Sequence, residues 1–277
     1  MNFTHAEAIL RDVVAPVVTE LERVGVTPGA LMLVGAVCRD VLHRAAGHTS
    51  SLRSTGDLDL ALAVDGWAAY RQLTEHLDPI RIGSQIRYRV ADMAVDIIPF
   101  GGLEDPDGQV PTGTHDGPMN VLGFGDVWQA ATTINLPGGS CVRVPTIPGF
   151  AVLKLSAWAS RSREGEYKDG ADLACAMFWY QNLGTVHDRL YDEEREASVL
   201  ERAGLDEPLA AVRLLIADAL DCLTPPRRQD LRALWATTAD HGNLLATYLE
   251  NTRLVGWPRG ARLLEYADAV RAAFVGT

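Results

Sequence analysis

The order of hydrophobic and polar positions divides the chain into two halves. In the first half, short apolar runs flanked by glycine, proline or aspartate alternate with stretches of helical periodicity. This pattern predicts a mixed sheet with flanking helices. The predicted strands are residues 31–34, 56–64, 80–90, 93–101 and 140–147, and the predicted helices are residues 4–24, 35–46 and 65–77.

Two segments of this half carry signals of their own. Pro16 lies inside the first helical stretch, and because proline lacks an amide proton it predicts a kink or two shorter helices. Residues 101–120 are dense in glycine, proline and aspartate, which predicts an irregular loop.

From Pro148 to the end, turn residues become sparse and helical periodicity dominates. Segments such as PLAAVRLLIADALDCL and GARLLEYADAVRAAF bring their apolar residues back to one helical face. We therefore expect an α+β protein of two domains, with an α/β domain in residues 1–147 and a helical domain in residues 148–277.

Composition narrows the class of protein. Of 277 residues, 47% are hydrophobic and 22% are charged, which is typical of a soluble globular protein. The longest apolar run, residues 31–38, is too short to span a bilayer, and the N-terminus lacks the pattern of a signal peptide. The four cysteines are scattered without close pairing, which indicates reduced thiols. We expect a cytoplasmic protein without a membrane partner.

The net charge of −11 argues against a broad basic face that coats nucleic acid. It leaves room for a local pocket that grips a few phosphates.

The most informative polar pattern is STGDLDLALAV, which begins at Ser54. In an extended strand, Asp57 and Asp59 face the same side, and two carboxylates there call for a compensating cation such as Mg²⁺. Asp96 lies inside the apolar strand MAVDIIPFG, where a charged residue is costly unless it has a partner. If the two strands pair, the three carboxylates converge and can hold two metal ions. The alternative is that the DLD sequence marks a strand end facing solvent.

A glycine turn precedes this pattern. In LVGAVCRD the apolar strand runs into Gly35 and directly into a helix, whose first amide groups are a favourable seat for a phosphate. Arg39 on this helix reaches a phosphate in one interpretation and pairs with Asp40 or another acid in the other.

The chain contains 23 arginines and two lysines, and both lysines lie in AVLKLSAWASRSREGEYKDGADL. Lys154 belongs to an apolar helical pattern, and its compact ammonium group suits a narrow site between phosphates and acids. The alternative is a lysine at a helix edge that extends its charge into solvent. Lys168 precedes Asp172 by four residues, so a helical ion pair is a second interpretation there.

These motifs together resemble the nucleotidyltransferase superfamily, and more narrowly the AbiEii/AbiGii-type (MenT-like) enzymes, which include toxins of bacterial toxin–antitoxin systems. The resemblance rests on the glycine turn, RSTGDLDLAL, VDIIPFGGLED, MNVLGFGDV, VPTIPGFAVLKLSAW and KDGADL, and covers roughly residues 30–180. It implies a polymerase-β-like mixed sheet, followed by a helical domain that completes the nucleotide site.

The resemblance also implies residue roles. Asp57 and Asp59 correspond to the metal-binding pair, and Asp96 to the third carboxylate, which helps to activate the incoming hydroxyl. Gly35 corresponds to the glycine that lets the triphosphate approach the backbone. The remaining residues expected to bind the nucleotide are Arg39, Ser54, Thr55, Lys154, Lys168, Asp169 and Asp172.

One departure from the family pattern is Gly35-Ala36, where many members have Gly-Ser or Gly-Gly. A serine hydroxyl that touches the terminal phosphate is missing, so the grip on phosphate is expected to rest on backbone amides, Arg39, and Ser54 or Thr55.

The function expected from the sequence is transfer of a nucleoside monophosphate from an NTP to a hydroxyl acceptor, with two Mg²⁺ ions. By resemblance, the acceptor is a tRNA 3′ end and the protein is a toxin restrained by an antitoxin. Three alternatives stay open: modification of a small molecule such as an antibiotic, a non-catalytic nucleotide-binding partner, and a two-metal phosphodiesterase.

Overall fold

The computed structural model describes residues 1–53, 55–80, 85–106, 108–111, 117–192, 194–237 and 241–274. It divides into two compact units. The first consists of Met1–Thr49 and Ser54–Thr146, and the second of Ser50–Arg53 and Ile147–Thr277. The fold is α+β with a mixed sheet.

The first unit is built on a sheet. Its strands are β1 Leu31–Val34, β2 Asp57–Val64, β3 Asp78–Pro79, β4 Arg87–Val90, β5 Met93–Gly101, β6 Gln109–Val110, β7 Met119–Asn120, β8 Thr132–Asn135 and β9 Cys141–Val144. Seven of them form one sheet with the order β3-β4-β5-β2-β1-β9-β8. Strands β2 and β5 run parallel, as do β1 and β9, whereas the other neighbouring pairs are antiparallel. Strands β6 and β7 form a separate two-stranded pair.

Helices cover this sheet. They are α1 Glu7–Ile9, α2 Ala15–Arg23, α3 Gly35–Ala45, α4 Trp67–Thr74 and α5 Phe124–Ala130. Every residue of β1 is buried, and α3 packs against both β1 and β2.

The N-terminal helical stretch is interrupted, as Pro16 predicts. A 3₁₀ turn at Phe3–Ala6 leads into α1, and a π-helical segment at Leu10–Val14 separates α1 from α2. Pro16 lies in the first turn of α2, directly after the π-helical segment. The wider π turn is therefore where the helical stretch departs from the regular α-helix.

In the second unit, every regular element among the described residues is a helix. Its core contains Trp158, Trp179 and Trp235, and the indole of Trp235 donates to the carbonyl oxygen of Leu155 at 3.1 Å. The helices are α6 Ile147–Arg161, α7 Lys168–Gln181, α8 Gly184–Asp192, α9 Glu194–Arg202, α10 Glu207–Asp221, α11 Pro225–Ala236, α12 His241–Leu249 and α13 Ala261–Ala272, with a 3₁₀ turn at Ser162–Glu164.

None of the helices in the described part of the chain has both the length and the apolar composition needed to cross a lipid bilayer.

Candidate functional site

The register of the sheet places the three predicted catalytic acids on one face. Asp59 of β2 lies opposite Asp96 of β5 in the parallel pairing. Asp57 precedes Asp59 by two residues and therefore faces the same side. Neighbouring strands lie about 4.8 Å apart, so the backbones that carry Asp59 and Asp96 are adjacent. The strand pairing on which the predicted convergence of the acids depends is present.

A guanidinium group bridges two of these acids. Arg87 of β4 lies opposite Asp96 in the antiparallel pairing. Its Nη1 donates to Asp96 Oδ2 at 3.2 Å, and its Nη2 donates to Asp57 Oδ2 at 3.1 Å. The side chains of Arg87, Asp57 and Asp96 are 38%, 31% and 18% exposed, so the cluster is partly open to solvent. Arg87 is the residue of this site that the sequence motifs did not identify.

The carboxylate of Asp57 is held in its charged form. The hydroxyl of Thr55 donates to Asp57 Oδ1, and this hydrogen bond is the largest cause of a lowered pKa of Asp57. Partial burial opposes the shift, and Arg87 adds to it. Thr55 was expected to bind the nucleotide, and the structure places it against the acid. Ser54, expected to do the same, lies outside the described residues.

Gly35 adjoins Asp59 at the junction of β1 and α3. Its φ is +66°, a left-handed value that favours glycine, and an added Cβ would lie 1.9 Å from Asp59 Oδ2. Backbone conformation and close approach therefore both require glycine here. The N-cap residue of α3 is Val34, which makes no side-chain cap. The acidic face thus meets a helix N-terminus, which attracts negative charge.

Arg39 does not project freely from this helix. It is 2% exposed, and its Nε and Nη2 donate to Asp40 Oδ1 at 2.9 and 2.7 Å. An ion pair of Arg39 with Asp40 was the alternative expected from the sequence. A phosphate contact by Arg39 stays a prediction.

The donor set of the acidic face suits a hard divalent cation, because Mg²⁺ prefers carboxylate oxygens. Gly35 supports this fit by leaving the space beside Asp59 clear of a side chain. However, in the described ranges no group of three or more histidine, cysteine or acidic side chains is arranged to hold a metal ion. Arg87 already bridges the Oδ2 atoms of Asp57 and Asp96. The residues fit Mg²⁺ in type and in register, while their side-chain positions suit the guanidinium.

In the second unit, Lys154 of α6 lies in a buried ion network with two acids of α7. Its Nζ lies 3.1 Å from Asp169 Oδ1 and 2.7 Å from Asp172 Oδ2. All three residues are buried. Arg161 follows Lys154 by about two turns of α6 and so lies on the same face of the helix. Its Nη1 donates to Asp169 Oδ2 at 3.2 Å. The compact ammonium group therefore fits between two acids in the helical core.

This network sets the charge of its members. Burial alone lowers the pKa of Lys154, but attraction to Asp172 and Asp169 outweighs it, and the pKa is raised. For Asp169, burial acts to raise the pKa, and attraction to Lys154 and Arg161 outweighs it, so the pKa is lowered. Both groups stay charged at neutral pH.

Lys168 differs from Lys154 in its position, its exposure and its ion-pair partner. It begins α7, its side chain is 52% exposed, and its Nζ lies 3.9 Å from Glu166 Oε2. The helical ion pair with Asp172, considered from the spacing, is replaced by the pairing of Asp172 with Lys154. Nucleotide binding by Lys154, Lys168, Asp169 and Asp172 stays a prediction.

No protein-family model matches this sequence, and no curated protein matches it.

The glycine turn generates a first prediction. Gly35→Ala introduces both an unfavourable φ and a clash with Asp59, so we expect a loss of at least about 3 kcal/mol in the free energy of unfolding. The matched control is Gly47→Ala, because Gly47 also has a positive φ (+89°) but has open space around its Cβ position. Its expected loss is about 1 kcal/mol. Urea unfolding followed by circular dichroism measures both. Equal losses would contradict the close approach of Gly35 to Asp59.

The two lysines provide a second, internally matched prediction. Lys154→Met removes the cation from two buried carboxylates, and we expect a loss of about 3–5 kcal/mol in the free energy of unfolding. Lys168→Met removes an exposed charge of the same type, and we expect a change below about 0.5 kcal/mol. Urea denaturation at neutral pH compares them. A Lys154→Met protein as stable as Lys168→Met would rule out the buried network.

The pKa of Asp169 gives a third prediction. Because this pKa is lowered on folding, the stabilisation exists above the ordinary carboxyl pKa of about 3.9 and is lost as the pH falls through the folded value. Asp169→Asn should therefore be less stable than the wild type at neutral pH, and the difference should shrink below about pH 4. Thermal melting across the pH range tests this, with the exposed Asp221→Asn as control. A difference that is unchanged in strong acid would contradict the assignment.

Proposed function

We propose that this protein is a Mg²⁺-dependent nucleotidyltransferase, which moves a nucleoside monophosphate from an NTP to a hydroxyl acceptor. The observation that carries the proposal is the register of β2 and β5, which sets Asp59 opposite Asp96 with Asp57 on the same face. The glycine turn that begins α3 beside Asp59 adds a site for phosphate. The order of the sequence motifs, which resembles AbiEii/AbiGii-type enzymes, is the second support.

In the proposed reaction, Asp57, Asp59 and Asp96 would hold two Mg²⁺ ions, which would stabilise the charge on the attacking and leaving oxygens. The first amide groups of α3 bind triphosphate oxygens, and Gly35 lets them approach. Asp96 accepts the proton of the acceptor hydroxyl. The acceptor oxygen forms a bond to the α-phosphorus, the bond to the bridging oxygen breaks, and pyrophosphate leaves.

The resemblance extends the proposal to the acceptor and to the second unit. It assigns nucleotide contacts to Lys154 and Lys168, a tRNA 3′ end as acceptor, and a toxin role with a cognate antitoxin. These assignments rest on analogy, because one fold serves many acceptors.

A small-molecule acceptor is the second candidate. The net charge of −11 favours it, since a strongly acidic protein repels the phosphates of a long nucleic acid. The chemistry at the acids is the same in both cases, and the acceptor distinguishes them.

The fourth prediction tests this activity. The protein is incubated with each α-labelled NTP and Mg²⁺, with total RNA in one series and a panel of aminoglycosides in another. We expect label in one acceptor class and release of pyrophosphate. Asp57→Asn/Asp59→Asn should reduce transfer by at least about a thousandfold, because it removes two metal ligands. The matched control is Asp78→Asn, an exposed acid of the same sheet, which should keep full transfer.

Transfer that persists in the double variant would contradict the mechanism. Binding of NTP, seen as a raised melting temperature without pyrophosphate release, would instead support a non-catalytic partner. Hydrolysis of the nucleotide without any labelled acceptor would support a phosphodiesterase.

A further inference from the structure

Arg87 occupies carboxylate oxygens of the acidic face that a divalent metal ion would also use. We propose that Arg87 is a resident cation that competes with the divalent metal for Asp57 and Asp96, so that metal binding requires the guanidinium to leave. This inference rests on the proposed function, because it concerns the metal that the function requires. It assigns a regulatory role to a residue that the family motifs do not contain.

Arg87 and the metal would use the same carboxylates. Arg87 donates to Oδ2 of Asp57 and to Oδ2 of Asp96. These oxygens belong to two of the three carboxylates that the metal would use. A dication bound there would lie next to a fixed positive charge, and like charges at such distances repel each other. The metal and the bound guanidinium are therefore alternatives.

The spacing of the two acids suits a guanidinium group. Asp57 and Asp96 lie on neighbouring strands and are offset by two residues in the register, since Asp59 is the residue opposite Asp96. A planar guanidinium with two donor nitrogens spans this offset, whereas a single ammonium group has no fork. The choice of arginine thus matches the spacing of the two acids.

Solvent reaches this bridge. The side chains of Arg87 and Asp57 are 38% and 31% exposed. Ion pairs that water reaches are weak, so a stronger cation can replace these two contacts at a small cost. The buried Lys154 network of the second unit lacks this exposure.

Displacement of Arg87 by a metal ion would also affect binding of the nucleotide. The three acids carry three negative charges and Arg87 one positive charge. When a metal ion displaces the guanidinium, its positive charge becomes available to an anion beside the metal, such as the triphosphate. We therefore expect metal and nucleotide to strengthen each other's binding through Arg87, and such coupling is reciprocal.

The test measures binding of Mn²⁺ alone by isothermal titration calorimetry, without nucleotide or turnover. Arg87→Gln removes the charge, and we expect Mn²⁺ to bind about tenfold more tightly than to the wild type. Arg87→Lys keeps the charge without the fork and should fall between the two. The matched control is Arg89→Gln, which removes the same charge from the same face of β4, and its Mn²⁺ affinity should change less than about twofold.

The outcomes separate this inference from the proposed function. Equal or weaker Mn²⁺ binding by folded Arg87→Gln, in a protein whose wild type transfers nucleotide, overturns the inference and leaves the function standing. No Mn²⁺ binding by any variant, together with no transfer by the wild type, overturns both. Melting curves in EDTA verify folding, and Arg87→Lys serves if Arg87→Gln does not fold. Tighter binding by Arg87→Gln but not by Arg89→Gln supports competition.

Discussion

Repulsion among three carboxylates on one face of a sheet is the constraint that organises the first unit. Parallel pairing of β2 with β5 places Asp59 opposite Asp96, and the two-residue period of a strand adds Asp57. Such a face is stable only if cations, hydrogen-bond donors or a helix N-terminus compensate its charge. The structure supplies all three, through Arg87, Thr55 and the start of α3.

In the second unit, two neighbouring carboxylates are compensated by a buried cation. Lys154 lies between Asp169 and Asp172 inside the helical core, with Arg161 at its edge. There the charges are removed from water, so removing Lys154 would leave buried carboxylates without a cation, which is strongly destabilising. The two units therefore differ in their ion pairs: the bridge of Arg87 is partly open to solvent, whereas the buried network of Lys154 joins α6 to α7.

The sequence predicted strands in which apolar and polar residues alternate clearly, and it missed strands without such alternation. Apolar alternation located β2 and β5 because one face of each is buried. Strand β8, Thr132–Asn135, was missed because its residues are mostly exposed and show no alternation. Of the strand predicted at residues 80–90, the structure describes β4 only at Arg87–Val90.

At the candidate site, too, the sequence predicted what depends on local geometry and missed what depends on strand pairing. Asp57 and Asp59 share a face through local geometry, so the sequence predicted their juxtaposition. The place of Arg87 depends on which strands are neighbours and in what register, and no local pattern encodes that. Arg87 itself is partly exposed, as is common for an arginine in a strand, and its contacts with two acids come from the strand pairing rather than from the local sequence.

The buried network also changes how the lysine motif is interpreted. By resemblance, Lys154 and the acids of KDGADL were expected to bind the nucleotide, yet the packing of α6 on α7 explains Lys154, Asp169 and Asp172 without any ligand. Loss of activity in a Lys154 variant would therefore follow from lost stability as readily as from lost phosphate contact. Arg87 and Asp57 are partly exposed, and substitutions there disturb less of the core. The acidic face of the first unit is consequently where binding can be separated from folding.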